Sequence, residues 1–141
     1  MKSSVVADTS GFVSLASITD SNHKIAALGS VSMQEQNLSL IVPGEVITET
    51  INVLGKKISH DIAIQVGKSI LDSSSFTVVD TTTDIRKVAF AKFQKQASSV
   101  SFTDCLVMAV ADAYGTKYIF GYDAIFRKKG YVRFGIDDQK K

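Results

Sequence analysis

The chain has 141 residues, 45% of them hydrophobic and 21% charged, which fits one ordinary folded domain spanning 1–141 and excludes a disordered chain. No apolar run approaches the ~20 residues of a membrane-crossing helix, and the opening MKSSVVADTS lacks the apolar stretch of a secretory leader, so no membrane contact and a cytoplasmic location are expected. A single Cys excludes an internal disulfide and fits a reducing compartment, while a formal net charge of +2 says little about partners.

Taken from the N-terminus, short β-branched or aromatic runs alternate with helical patterns. Strands are expected at Ser4 to Ala7, Leu38 to Val42, Phe76 to Val79, Tyr118 to Phe120 and Tyr131 to Phe134, each apolar enough to be buried on both faces. Between the first two, Gly11 to Gln36 reads as two helices with a loop around Thr19 to Asn22. Pro43 then starts a helix whose apolar face is Val46, Ile47, Thr50, Ile51 and Leu54, closed by Gly55. Further helices are expected at Ser59 to Asp72, Asp84 to Lys95 and Thr103 to Tyr114, with Thr103 as N-cap. Strands separated by helices predict an α/β fold: a parallel sheet of about five short strands covered on both faces. The last few residues, ending in Lys140 and Lys141, read as a basic tail.

Open parallel sheets bind ligands at the carboxyl ends of their strands, and acids stand at such ends here. VVA runs into Asp8, and YIFGY runs into Asp123. Two of the chain's three Glu residues, Glu45 and Glu49, lie one turn apart on the helix after the second strand, and SFTD places Asp104 in the first turn of another. Each acid also has an ordinary structural explanation: Asp8 as a helix cap, Asp104 as a helix-start residue, Asp123 as a turn former, either Glu as a solvated charge. Gathered at one sheet edge, they would repel and could ionise together only around a cation, and hard oxygen donors suit Mg²⁺ or Mn²⁺. The run Arg127, Lys128 and Lys129 just past Asp123 suits a solvated surface or a nucleic-acid contact equally well.

The order VADTS, VPGEVITETINVL, FTDCLVMAVADAYG and YIFGYDAIFRKKGY resembles the PIN domain, most nearly the VapC-type toxin ribonucleases of toxin–antitoxin pairs, over nearly the whole chain. The resemblance implies a three-layer α/β/α sandwich and cleavage of RNA by Asp8, Glu49, Asp104 and Asp123. Asp8, Asp104 and Asp123 would hold the metal, Mg²⁺ or Mn²⁺, and Glu49 would position or deprotonate the attacking water. The resemblance prefers Glu49 to Glu45, because the family's Glu stands six residues after the Pro and ahead of an apolar run, as Glu49 does after Pro43. Ser10 matches the position that orients the first acid. A cognate antitoxin, with a basic segment able to enter the acidic pocket, and a homodimer are implied as well. One departure stands out: Gly121 occupies a position where the family usually has Thr or Ser, so a hydroxyl that would support the metal shell is missing. A catalytically silent PIN-like module that binds RNA or protein is the other functional class the sequence admits.

Other candidates carry less. Asp112 lies about 12 Å of helical rise beyond Asp104, too far to share an ion, and reads as surface. His23 and His60 show neither metal-ligand spacing nor a triad pattern and read as surface helix residues. Cys105 adjoins Asp104 but precedes Leu106 and Val107 in a core-like helix, and Gly67, Lys68 and Ser69 lack the upstream Gly of a phosphate-binding loop.

Overall fold

Val5, Val6 and Ala7 are completely buried, because the strand that carries them, β1 (Ser4–Ala7), lies at the middle of the sheet. The computed structural model describes residues 4–139. It holds five parallel strands in the order β3-β2-β1-β4-β5, with β2 at Ser39–Pro43, β3 at Phe76–Val79, β4 at Tyr118–Phe120 and β5 at Val132–Arg133. Parallel neighbours need long crossovers, and helices fill all of them. They are α1 (Thr9–Ala16) and α2 (His23–Glu35), α3 (Gly44–Lys57) and α4 (His60–Asp72), α5 (Thr83–Gln94) and α6 (Phe102–Ala113), and α7 (Ala124–Lys128). The strand order reverses between β1 and β4, so right-handed crossovers place α1 to α4 on one face and α5 to α7 on the other. The packing agrees: α1 contacts α2 and α3, α3 contacts α4, and α6 contacts α5 and α7. This is the expected three-layer α/β/α sandwich.

The core follows from that layering. In α6, Cys105 through Ala111 are all buried, since the helix lies against β1 and β4 with α5 and α7 packed on it. Not every strand is buried on both faces as its composition suggested. Thr77 and Val78 of β3 are exposed, and β5 is half-buried and reduced to two residues, because both are edge strands with one neighbour each.

The limits of α3 and α6 moved. Pro43 is the N-cap of α3, but the helix runs past Gly55 to Lys57, because that glycine packs toward Ala63 of α4 instead of ending the helix. The N-cap of α6 is Ser101, not Thr103: the Ser101 hydroxyl accepts from the Asp104 N–H at 3.1 Å, and the Asp104 carboxylate accepts from the Ser101 N–H at 3.2 Å. At the C-terminus, Arg133 holds Asp137 in a bidentate pair at 2.9 and 3.0 Å, so the chain is tied down to that point. Lys140 and Lys141 of the expected basic tail lie outside the described residues.

Candidate functional site

A reversal of strand order leaves a crevice at the carboxyl edge of the sheet, and the two strands that flank it here are β1 and β4. Asp8 follows β1, Asp123 follows β4 by three residues, Asp104 lies in the first turn of α6, and Glu49 lies in α3. All four line one open cleft of about 550 Å³. Residues separated by more than a hundred positions thus share one wall, because strand ends and helix starts meet at the same edge of the fold.

Three of the acids are also helix caps. The Asp8 side chain accepts from the Ser10 N–H and caps α1, the Asp123 side chain accepts from the Ile125 N–H at 2.9 Å and caps α7, and Asp104 closes the capping box of α6. The ordinary explanation of each residue and its place in the cleft therefore hold together. Positive helix ends face the crevice and offset part of the repulsion among the carboxylates. Glu45, by contrast, is turned to other work: it accepts from the Thr81 hydroxyl at 2.7 Å and pairs with Arg86 at 3.3 Å. Glu49, one turn on, faces the cleft.

The electrostatics show how closely the acids are linked. Asp8 is only 5% exposed. Burial pushes its carboxyl up to about 6, with Asp104 and Glu49 adding to the rise, against the lowering effect of two hydrogen bonds from Ser10. Asp104 is raised in turn by burial and then by Asp123 and Glu49, against its bonds to Ser101. Both Ser10 donors go to Oδ2 of Asp8, the hydroxyl at 2.6 Å and the amide at 3.1 Å. No hydrogen bond among the described residues engages Oδ1. An all-carboxylate donor set with a free oxygen on its most buried member suits a hard divalent cation. Among the described residues, no three acidic, His or Cys side chains stand close enough together to hold an ion, and a hard divalent cation can be carried by one or two carboxylates with water completing its shell.

Ser10 does more than orient Asp8. Its Oγ also accepts from the Tyr122 N–H at 3.0 Å, tying the end of β1 to the turn after β4. The missing hydroxyl at Gly121 takes on a different meaning beside it: a Cβ there would lie 2.6 Å from Asp8 Cβ and 3.1 Å from Ser10 Oγ. The place where a side chain at 121 would begin is already taken.

Several cleft residues carry no signal in the sequence. Asp20, Asn22 and Ser14 line it from α1 and the loop before α2, and Lys57 lines it from the last turn of α3. Asp20 accepts from Ser14 Oγ at 2.8 Å and from the Asn22 N–H at 2.9 Å; in the sequence it was one of several turn formers around Thr19 to Asn22, with nothing to mark it. Tyr122 was visible only as the aromatic before Asp123. Its hydroxyl is buried without a partner among the described residues, and burial, reinforced by Asp20, pushes it up to about 12. Arg127, Lys128 and Lys129 are exposed on and just after α7, Arg127 reaching only a 4.0 Å contact with Asp137.

The remaining candidates fall into place. Asp112 is not a free surface charge: Lys92 pairs with it at 2.8 Å and the Tyr131 hydroxyl donates to it at 2.7 Å, joining α5, α6 and the start of β5. His23 is half-buried, its Nδ1 2.9 Å from the Ser14 carbonyl oxygen, which can only accept, so the surface reading holds for His60 alone. Cys105 is buried, and Gly67, Lys68 and Ser69 lie inside α4.

Fold and cleft together define a class, the open parallel α/β domains that collect carboxylates where the strand order reverses. The PIN domain family model matches residues 5–130, and the chain belongs to that family. The crystal structure of Mycobacterium tuberculosis VapC20, described as a toxin that cleaves the sarcin–ricin loop, superposes with a TM-score of 0.83 at 23% sequence identity, covering 92% of this chain and 98% of that one. No curated protein matches the chain.

Proposed function

We propose that the protein is a divalent-metal-dependent endoribonuclease, the toxin of a type II toxin–antitoxin pair. The observation that carries this reading is the meeting of Asp8, Glu49, Asp104 and Asp123, from four separate elements, in one cleft. Asp8 and Asp123 are assigned as direct ligands of Mg²⁺ or Mn²⁺, and Asp104 as a ligand directly or through water. A bound ion supplies positive charge to the phosphodiester and lowers the pKa of a water. Glu49 orients that water or accepts its proton, and Ser10 fixes the Asp8 carboxylate. Arg127, Lys128 and Lys129 stand ready to neutralise RNA phosphates.

The partners follow from the same surface. An acidic cleft suits a basic segment of an antitoxin, which would compete for the carboxylates. A homodimer would bury apolar surface, and Phe90, Phe93 and Phe102 supply it: the three rings pack on one another with centroids 5.8 to 6.4 Å apart while remaining 53%, 37% and 38% exposed. Among the described residues no helix is long and apolar enough to cross a membrane.

The deciding experiment is cleavage of defined RNAs with and without Mg²⁺ or Mn²⁺, in the parent and in Asp123→Asn. The substitution is expected to reduce metal-dependent cleavage by at least about 100-fold, a few kcal/mol of transition-state stabilisation, with circular dichroism unchanged because Asn caps a helix as well as Asp. Equal cleavage by both proteins overturns the assignment. RNA binding by a parent that cleaves nothing would favour the silent module.

A further inference from the structure

We propose that Gly121 is a positioning residue, whose lack of a side chain lets the turn after β4 close on Asp8 so that Ser10 clamps one carboxylate oxygen and leaves the other for a divalent cation. The proposal rests on the reading of the cleft as a metal site. At 121, a Cβ would meet Asp8 Cβ at 2.6 Å and both Asp8 Oδ2 and Ser10 Oγ at 3.1 Å. The first of these is an atom fixed to the main chain, so no rotamer change relieves it. Nor can the strands part easily, since β1 and β4 are locked in register from Val5 and Tyr118 to Ala7 and Phe120, and the Asp8 N–H continues the ladder to the Phe120 carbonyl at 3.0 Å.

The same closure makes the clamp. Ser10 Oγ donates to Asp8 Oδ2 at 2.6 Å and accepts from the Tyr122 N–H at 3.0 Å, so one hydroxyl spans the two strand ends. Asp123 is the next residue after Tyr122. Any side chain at 121 must push this turn outward, stretch the Tyr122–Ser10 bond, and move Asp123 relative to Asp8. The spacing between the first and last acids is thus set by a residue with no functional group.

Mn²⁺ binding measured by calorimetry, at a temperature well below the melting point of every variant, tests the idea apart from catalysis. Gly121→Ala and Ser10→Ala are each expected to weaken Mn²⁺ binding by about 10-fold or more, the usual effect of losing a group that orients a ligand. The double variant should lose less than the product of the two, because both act on one clamp. A glycine needed only for folding would lower the melting temperature and leave Mn²⁺ affinity unchanged, and that result overturns the proposal. Should Gly121→Ala not fold, Ser10→Ala, which adds no atoms, decides alone. Asp8→Asn separates the two levels. If it abolishes binding while Ser10→Ala and Gly121→Ala do not, only this inference fails. If it leaves binding intact, the metal site itself is refuted and this inference with it.

Discussion

Asp8 is the residue on which burial, charge and hydrogen bonding press hardest, and its titration has a definite sign. The unfolded group loses its proton near 3.8 and the folded one near 6, so between those values the folded state holds the extra proton. The stabilisation is complete below about pH 4 and disappears as pH rises through 6, a change of about 3 kcal/mol at most. Asp104 moves in the same direction for the same first cause, burial. Metal-free Asp8→Asn should therefore melt above the parent at pH 7.5, with the difference shrinking toward zero at pH 4. Thermal melts in a chelator across that range check it, and a variant that melts lower than the parent at pH 7.5 would contradict the account. The identity of Asp8, Asp104 and Asp123 was readable from their places after strands and at a helix start. Their mutual coupling was not, because it depends on distances across the chain that no local pattern encodes.

The start of α6 shows how a local signal can be present and still be assigned to the wrong neighbour. Ser101 and Asp104 stand at capping-box spacing, yet Thr103, adjacent to the acid, competed as the cap. The structure gives the role to Ser101, whose side chain and main chain both engage Asp104. Ser101→Ala should cost about 1 kcal/mol, a drop of roughly 2–4 °C in melting temperature for a domain of this length, read by chemical and thermal denaturation. A loss no larger than that of an exposed Ser elsewhere, such as Ser74, would deny the capping box its part. For the edge strands β3 and β5, composition exaggerated burial. Phe76, Val78 and Val79 suit a two-sided strand in isolation, but β3 has a neighbour only at β2, so Val78 remains 43% exposed. Edge position is a property of strand order, and strand order is not written in any one strand.

Across the molecule, the order of elements and the three-layer fold followed from the alternation of patterns, whereas the exposed aromatic cluster did not. Phe90, Phe93 and Phe102 look like core residues of α5 and α6 until the packing shows them facing outward together. Phe90→Asp should convert a dimeric parent to a monomer with little change in stability, because the ring is already half-exposed; sedimentation equilibrium measures this. A parent that is monomeric at high concentration would remove the aromatic face from the homodimer proposal.

The double employment of three cleft acids has a consequence for how such a chain would age. Asp8, Asp104 and Asp123 each hold a helix start, so a descendant that had given up chemistry would still profit from keeping them, or from trading them only for Asn, Ser or Thr. Glu49 begins no helix, and among the described residues no hydrogen bond or ion pair engages its side chain. On the proposed role of Glu49 in cleavage, a chain freed from that work would let this position drift first.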